Sequence, residues 1–339
     1  MTISKFSGKA IMVTGACGTV GRELVNQLIS RNPSKIVCID NNETELFFLQ
    51  QDMAEHPEIE FHLVDIRNLD ELSRRMEGIE IVLHAAALKH VGLCEDAPNE
   101  AIQTNIQGCQ NVISAAQANN VDRVIFTSSD KAVNPTNVMG TTKLMGERLF
   151  TAAAIGDKGR KTIFASTRFG NVLGSRGSVI PLFHRQIKKG GPITLTNKEM
   201  TRFIMTLEQA AKLVLDSVWK AVGGEVFVTR MPVARIEDLA IVMKERLADG
   251  DKHLDIVEIG AKPGEKLYEE LMNDEEVRRS YQIDGFLVVV PAFVSDHLQC
   301  YPYLVGQKKA DNPYNSHNQT ALTKAELSQY LSDDILSGS

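Results

Sequence analysis

The sequence predicts an α/β protein built on a doubly wound parallel sheet, with a smaller irregular α/β part attached. Three observations carry that expectation. Short apolar runs alternate with longer stretches patterned like helices. The runs are apolar throughout rather than alternating, as expected of strands covered on both faces. A glycine-rich turn also joins the first run to the first helical stretch, a connection typical of nucleotide-binding sheets.

Taken in order, the expected strands are 10–14, 36–40, 59–64, 79–84, 124–128, 163–168 and 225–229. Helical patterns lie near 20–31, 43–55, 69–76, 99–119, 140–154 and 207–221. Residues 1–173 form the expected dinucleotide-binding domain, rejoined by about 207–232. The rhythm loosens after about residue 170, at Gly170, Gly174, Gly177, Gly190 and Gly191, and residues 174–339 form the expected interleaved second part. Two helix starts, at Thr206 with Gln209 and at Thr323 with Glu326, fit the reciprocal capping pattern. Structure alone explains those two, so they carry no functional weight.

Composition bounds the function. The 339 residues are 43% hydrophobic and 24% charged, ordinary for a globular protein with a proper core. A net charge of −6 supplies no global field for nucleic acid or an anionic membrane. No apolar run approaches the ~20 residues that span a bilayer, and no leader pattern is visible. Cys17, Cys38, Cys94, Cys109 and Cys300 lack metal-ligand spacing. The expectation is a soluble cytoplasmic protein with reduced thiols, no metal, no membrane and no nucleic-acid partner.

The turn reads Gly15-Ala-Cys17-Gly18-Thr19-Val20-Gly21. Glycines tighten such a turn and let a diphosphate approach the N–H groups that open the next helix. The G-x-x-G-x-x-G spacing is the short-chain dehydrogenase variant. Asp40 ends the second strand, where a carboxylate accepts from both adenosine ribose hydroxyls and repels a 2′-phosphate. NAD is therefore favoured over NADP, with Arg22 as the opposing signal. Asp65 and Ile66 suit the adenine edge, although Asp65 serves equally well as a helix cap. Ala85, Ala86 and Ala87 are small enough to let the cofactor lie against the backbone.

Ser128, Ser129, Asp130 and Lys131 follow the fifth strand. Carboxyl ends of strands face the ligand crevice in open α/β sheets, so these four polar residues are placed for chemistry. Downstream lies Met139-Gly-Thr-Thr-Lys143.

These segments, together with His84-Ala-Ala-Ala-Leu-Lys-His90, Thr104-Asn-Ile-Gln-Gly108, Arg168-Phe-Gly-Asn-Val-Leu-Gly-Ser-Arg-Gly-Ser-Val179, Met200-Thr-Arg-Phe203 and Lys262-Pro-Gly-Glu-Lys266, resemble one family. It is the extended short-chain dehydrogenases that act as UDP-N-acetylglucosamine 4,6-dehydratases in bacterial polysaccharide biosynthesis. The resemblance covers about residues 8–290. Its soluble inverting members usually carry tyrosine at the position of Met139, four residues before the lysine. None of the six tyrosines here has lysine at that spacing. The Met form resembles the C5-retaining, membrane-anchored members, here as the catalytic part alone.

The resemblance implies a redox-neutral elimination: hydride leaves C4 for NAD, water departs from C5 and C6, and hydride returns to C6. Asp130 is expected to protonate the leaving hydroxyl and Lys131 to abstract at C5. For that, Lys131 must be neutral, and burial, Lys143 and the nicotinamide charge are expected to lower its pKa. Lys143 would hold the nicotinamide ribose, and Ser128 or Ser129 the 4-hydroxyl. Either Lys131 or Asp130 would take the first proton. Met139 packs against the cofactor, and Asn105 supports the active lysine.

Lys89 is expected at the sugar or diphosphate. Asn171, Arg176 and Arg202 form the expected diphosphate grip, aided by the helix start at Ser178 and Val179. Glu265 would accept from the nucleotide ribose. The family's arginine at Lys262 is replaced, which weakens that contact. The partners implied are a nucleotide-sugar substrate and further copies of the chain, as a dimer or hexamer through helices such as 99–119 and 140–154. Rival functions are a nucleotide-sugar epimerase, a dehydratase on a GDP-sugar, and a silent sugar-nucleotide-binding protein, which the missing tyrosine invites.

Overall fold

The computed structural model describes residues 4–156, 162–248, 254–260 and 263–337. Six strands run in the expected order: β1 (Ala10–Thr14), β2 (Lys35–Asp40), β3 (Ile59–Leu63), β4 (Ile81–His84), β5 (Arg123–Thr127) and β6 (Ile163–Arg168). Each pairs in parallel with its neighbours, in the spatial order β3-β2-β1-β4-β5-β6. The order reverses between β1 and β4, and that switch point opens the crevice in which such sheets bind ligands.

Apolar character on both faces of each strand has the expected consequence. Ile11 and Val13 pack with Leu24 and Leu28 of α1 (Thr19–Ile29) in one core. Met12, between them, packs into a second core with Leu72 of α3 (Leu69–Arg75) and Val112 of α6 (Gly108–Ala118). Each such side chain, fully buried, contributes roughly 1.5–3 kcal/mol. The connection from β2 to β3 is α2 (Glu43–Asp52), capped by Asn42.

The helical pattern over 99–119 is not one α-helix. It is preceded by α4 (Val91–Asp96) and runs as α5 (Pro98–Ala101), a π-helical stretch Ile102–Gln107, then α6. Gly108 permits this join, because a Cβ there would sit 2.5 Å from Ile66 Cδ1. Next comes α7 (Val138–Gly156).

After β6 the chain forms β7 (Asn171–Val172), α8 (Val179–Lys188), β8 (Ile193–Leu195) and β9 (Thr201–Met205). It then continues through α9 (Leu207–Lys220), β10 (Val226–Thr229), β11 (Val233–Arg235) and α10 (Ile236–Leu247). β10 rejoins the main sheet parallel to β6. Beyond the sequence expectation, three antiparallel strands from late in the chain, Phe286–Val289, Ser280–Ile283 and Lys308–Lys309, extend the same sheet to ten. A separate three-stranded sheet, β11-β9-β7, and a third core around Phe183, Leu195 and Leu239 make the second part. The capping boxes at Thr206 and Thr323 both form.

Candidate active site

The glycine turn closes by backbone contact. Gly15 has φ +66, and a Cβ on it would lie 2.7 Å from the Ala86 backbone. A Cβ on Gly21 would lie 2.1 Å from the Gly15 carbonyl oxygen. Ala86 N–H in turn donates to Thr14 Oγ1 at 3.2 Å. α1 then opens on Gly18, which offers no side-chain cap, so the first-turn N–H groups of Thr19, Val20 and Gly21 face the crevice mouth unclaimed by a cap.

Asp40 braces this turn. Its carboxylate accepts from Cys17 N–H and Asn42 N–H, both at 3.0 Å. A cleft of about 280 Å³ lies over Gly15, Gly18, Asp40, Asp65 and the three alanines 85–87. Arg22, the opposing signal for a 2′-phosphate, is paired with Asp52 instead. Asp65 is held below the usual carboxylate range by hydrogen bonds from Arg67. The helix-capping role open to it belongs to Asn68, which accepts from Glu71 N–H.

Asn105, inside the π-helical stretch, accepts from Leu88 N–H and donates to Leu88 O and to Thr142 Oγ1. It therefore tethers the 88 loop to the helix turn beside Lys143 rather than touching Lys143. The Lys143 ammonium donates to Thr127 O at 2.9 Å and lies 4.7 Å from the Phe126 ring centre. Burial pushes its pKa down to about 8. Burial also pushes His84 down to about 3, so that imidazole is neutral at neutral pH.

At the end of β5, Ser128 N–H bonds Thr167 O and Asp130 N–H bonds Phe169 O. One 3₁₀ turn, Asp130–Ala132, follows, capped by Ser129. Ser129 Oγ donates to Asp130 Oδ1 at 2.8 Å. Lys131 Nζ lies 3.1 Å from the same oxygen and 3.3 Å from Glu269 Oε1. Asp130 is wholly buried, whereas the Lys131 side chain is 22% exposed. Ser128 Oγ, Asp130 Oδ2 and Glu269 Oε2 are buried with no partner among the described residues. Buried oxygens of this kind are costly unless something bonds them, and two of the three belong to the carboxyls that flank Lys131.

The sequence reading of the Lys131 charge needs correcting. Burial does push its pKa down, but the Asp130 and Glu269 carboxylates outweigh burial and hold the amine above its ordinary value. Glu269 is the residue that sequence reasoning missed. Burial raises its own pKa, which Lys131 opposes and Asp130 reinforces. Gly140 seats α7 directly on this turn, since a Cβ there would meet Lys131 O at 2.2 Å. Met139 is 4% exposed and packs with Cys94 and Ala101.

The expected diphosphate residues are not all brought together. Asn171 lies on β7, paired in register with Ile204 of β9. Arg202, on β9, is buried and directs its guanidinium to the carbonyls of Thr201, Lys266 and Leu267. Its Nε is 3.8 Å from Glu269 Oε1, so Arg202 holds the segment that delivers Glu269. Arg176 lies apart, over the dinucleotide cleft, with NH1 2.6 Å from Glu45 Oε2. Lys89 Nζ donates to Arg176 O, joining the 89 and 176 loops. Ser178 caps α8 by position only, without a side-chain bond, and Val179 is the first residue of that helix. Glu265 is exposed after Gly264, whose carbonyl accepts from Thr136 and Asn137. Lys262 lies outside the described residues.

Among the described residues no His, Cys, Asp and Glu group is arranged to hold a metal. No helix there is long and apolar enough to cross a membrane.

A family model described as polysaccharide biosynthesis protein matches residues 11–291. The chain is 45% identical to an uncharacterised membrane protein of Methanocaldococcus jannaschii, over 97% of this chain and 96% of that one. It is 42% identical to the capsular polysaccharide biosynthesis protein CapD of Staphylococcus aureus, over 80% of this chain but only 46% of that longer protein. A UDP-glucose 4-epimerase of Rickettsia felis is 38% identical over 96% of both chains. Among solved structures, Pen from Bacillus thuringiensis superposes with a TM-score of 0.90 at 40% identity, covering 96% of this chain and 98% of that one. The dTDP-glucose 4,6-dehydratase DesIV of Streptomyces venezuelae, solved with NAD, shares the fold with a TM-score of 0.68 at 21% identity, over 76% of this chain and 86% of that one.

Proposed function

The chain belongs to the polysaccharide biosynthesis protein family, and from that premise we propose that it is an NAD-dependent nucleotide-sugar 4,6-dehydratase acting on UDP-N-acetylglucosamine. The observation that carries the reading is a buried carboxyl and an amine in contact, Asp130 and Lys131, at the carboxyl end of β5. A 4,6-elimination needs both an acid at the C6 oxygen and a base at C5. The name of the Rickettsia felis relative favours a second reading, a 4-epimerase. That reaction needs proton handling at C4 alone and leaves such a paired acid and base without separate tasks.

The residues of the glycine cleft fit a dinucleotide. Gly15 and Gly21 let the turn close tightly on its own backbone under the cleft, and the α1 N-terminus suits a diphosphate. Asp40 lines the cleft, where it would accept from a ribose, and Arg22 is already paired with Asp52, which favours NAD over NADP. Bound NAD would supply the acceptor for the C4 hydride and its donor at C6. Lys143, which donates to Thr127 O, would hold the nicotinamide ribose. Asp130 donates its proton to the departing C6 oxygen, and Lys131 removes the C5 proton. Ser128 Oγ, buried and without a partner among the described residues, bonds the 4-hydroxyl in this reading.

Incubation with UDP-N-acetylglucosamine in D₂O tests the reading. Loss of water with deuterium at C5, followed by NMR and mass spectrometry, is the expected result. A C4 epimer without C5 deuterium would replace it with the epimerase reading. The cofactor has its own check. Gly21→Ala forces the turn apart and should leave purified protein nearly free of NAD, where wild type releases it on heat denaturation. Chromatography of the released nucleotide reads the difference directly.

A further inference from the structure

Resting on the dehydratase reading, we infer that Glu269 is a positioning residue that discharges Lys131, taking the ammonium proton across their 3.3 Å contact so that the amine is free to act at C5.

The proton count asks for such a group. Lys131, raised by the carboxylates it touches, rests as an ammonium. An ammonium has no lone pair with which to remove the C5 proton. If its proton moved to Asp130, that carboxyl could no longer receive the C4 hydroxyl proton. With Glu269 as acceptor, the cycle closes. One N–H bond of Lys131 breaks with its electron pair staying on nitrogen, and an O–H bond forms on Glu269. Asp130 then takes the C4 hydroxyl proton and passes it to the C6 oxygen, which leaves as water. Lys131 takes the C5 proton and returns one of its exchangeable N–H protons to C5, which is how deuterium enters there in D₂O. Both groups end as they began, and no net proton is drawn from solvent.

The surroundings of Glu269 suit this role. Its side chain is 3% exposed, and Oε2 has no partner among the described residues. The charged groups that face it are Lys131 and Asp130 from the turn after β5, Arg202 from β9, and Lys266 from its own segment. Arg202 is turned mainly to backbone carbonyls and stands at 3.8 Å, too far for a firm ion pair. Burial raises the Glu269 carboxyl, so it accepts a proton more readily than an exposed glutamate. The Asp130–Lys131–Glu269 row is thus able to shift one proton from its centre to its Glu269 end with no change in total charge.

The test is the pH dependence of C5 deuterium incorporation in wild type, Glu269→Gln and Glu269→Asp. Glutamine keeps the shape and removes the acceptor, so Lys131 must lose its proton to solvent. The ratio of Glu269→Gln to wild type should then be well below one at pH 6.5 and rise about tenfold per pH unit toward pH 9. Taking the ratio cancels the shared contribution of Lys143. Glu269→Asp keeps an acceptor, and its ratio to wild type should stay flat with pH. A flat ratio for Glu269→Gln, at whatever level, overturns the inference, because a purely structural role lowers the rate equally at every pH. A rising ratio for Glu269→Asp overturns it as well. Absence of C5 exchange in wild type instead removes the dehydratase reading, and the inference with it.

Discussion

Lys131→Ala is expected to abolish water loss from UDP-N-acetylglucosamine while leaving the bound NAD in place. Removing the amine deletes the base at C5, and loss of a positioned general base costs about 10²–10⁴-fold. Hydride removal from C4 needs a different proton acceptor, so a single reduction of bound NAD, seen at 340 nm on mixing with substrate, should survive in part. Asp130→Asn should behave differently. Asparagine fills the same wholly buried position but can neither take the C4 hydroxyl proton nor give one to the C6 oxygen, so reduction of bound NAD should fail, and C5 exchange and water loss with it. Loss of the 340 nm signal is therefore the signature of Asp130→Asn, and NAD reduction with neither C5 deuterium nor water loss the signature of Lys131→Ala. Near-normal turnover in both variants would remove these two residues from the chemistry. The experiment also separates the rival functions. A 4-epimerase would keep activity in Lys131→Ala, and a silent binding protein would show no reduction of NAD even in wild type.

The half of this site that comes from one stretch of chain was legible before any coordinates. Gly15, Gly18 and Gly21 declare a tight turn because their spacing sits between an apolar run and a helical pattern. Ser128, Ser129, Asp130 and Lys131 stand out because four polar residues end a buried strand. What stayed hidden depends on chain segments that meet only in the fold. Glu269 sits in a Tyr-Glu-Glu run that reads as any solvated segment. Its burial comes from Arg202 drawing the 266–267 carbonyls inward. Without Glu269 the Lys131 charge was bound to be misjudged, since burial alone points the other way. Arg176 and Arg202 looked alike in sequence, yet one reaches Glu45 across the cofactor cleft and the other binds backbone. The π-helical stretch Ile102–Gln107 escaped for a related reason. Its residues suit an α-helix, and the widened turn is decided by Asn105 reaching Leu88 and Thr142.

Arg168 is where stability and site geometry meet, and Arg168→Ala should be among the most destabilising single changes in the chain. Its guanidinium is 1% exposed and bonds Glu147 on α7, Glu276, and Leu271 O. It thus ties β6 both to the helix carrying Lys143 and to the segment just after Glu269. Removing it leaves two buried carboxylates without their main cation, a change that costs about 3–5 kcal/mol. The pH dependence identifies the cause. Burial alone would raise the Glu276 carboxyl, but Arg168 outweighs burial and holds it below its ordinary value. A carboxyl depressed in the folded state adds stability above its unfolded pKa and loses it as pH falls through the folded one. In Arg168→Ala the burial effect is unopposed by that guanidinium, so Glu276 should instead be raised and acid should relieve the strain. The gap in melting temperature between wild type and variant should accordingly be widest near pH 8 and narrow below about pH 4.5, the ordinary glutamate range. Arg168→Lys should recover only a minor part, because one ammonium cannot reproduce the paired contacts to both carboxylates. Thermal unfolding of the three proteins across that pH range reads all of this. A gap independent of pH would mean that lost packing, rather than the unpaired carboxylates, sets the cost.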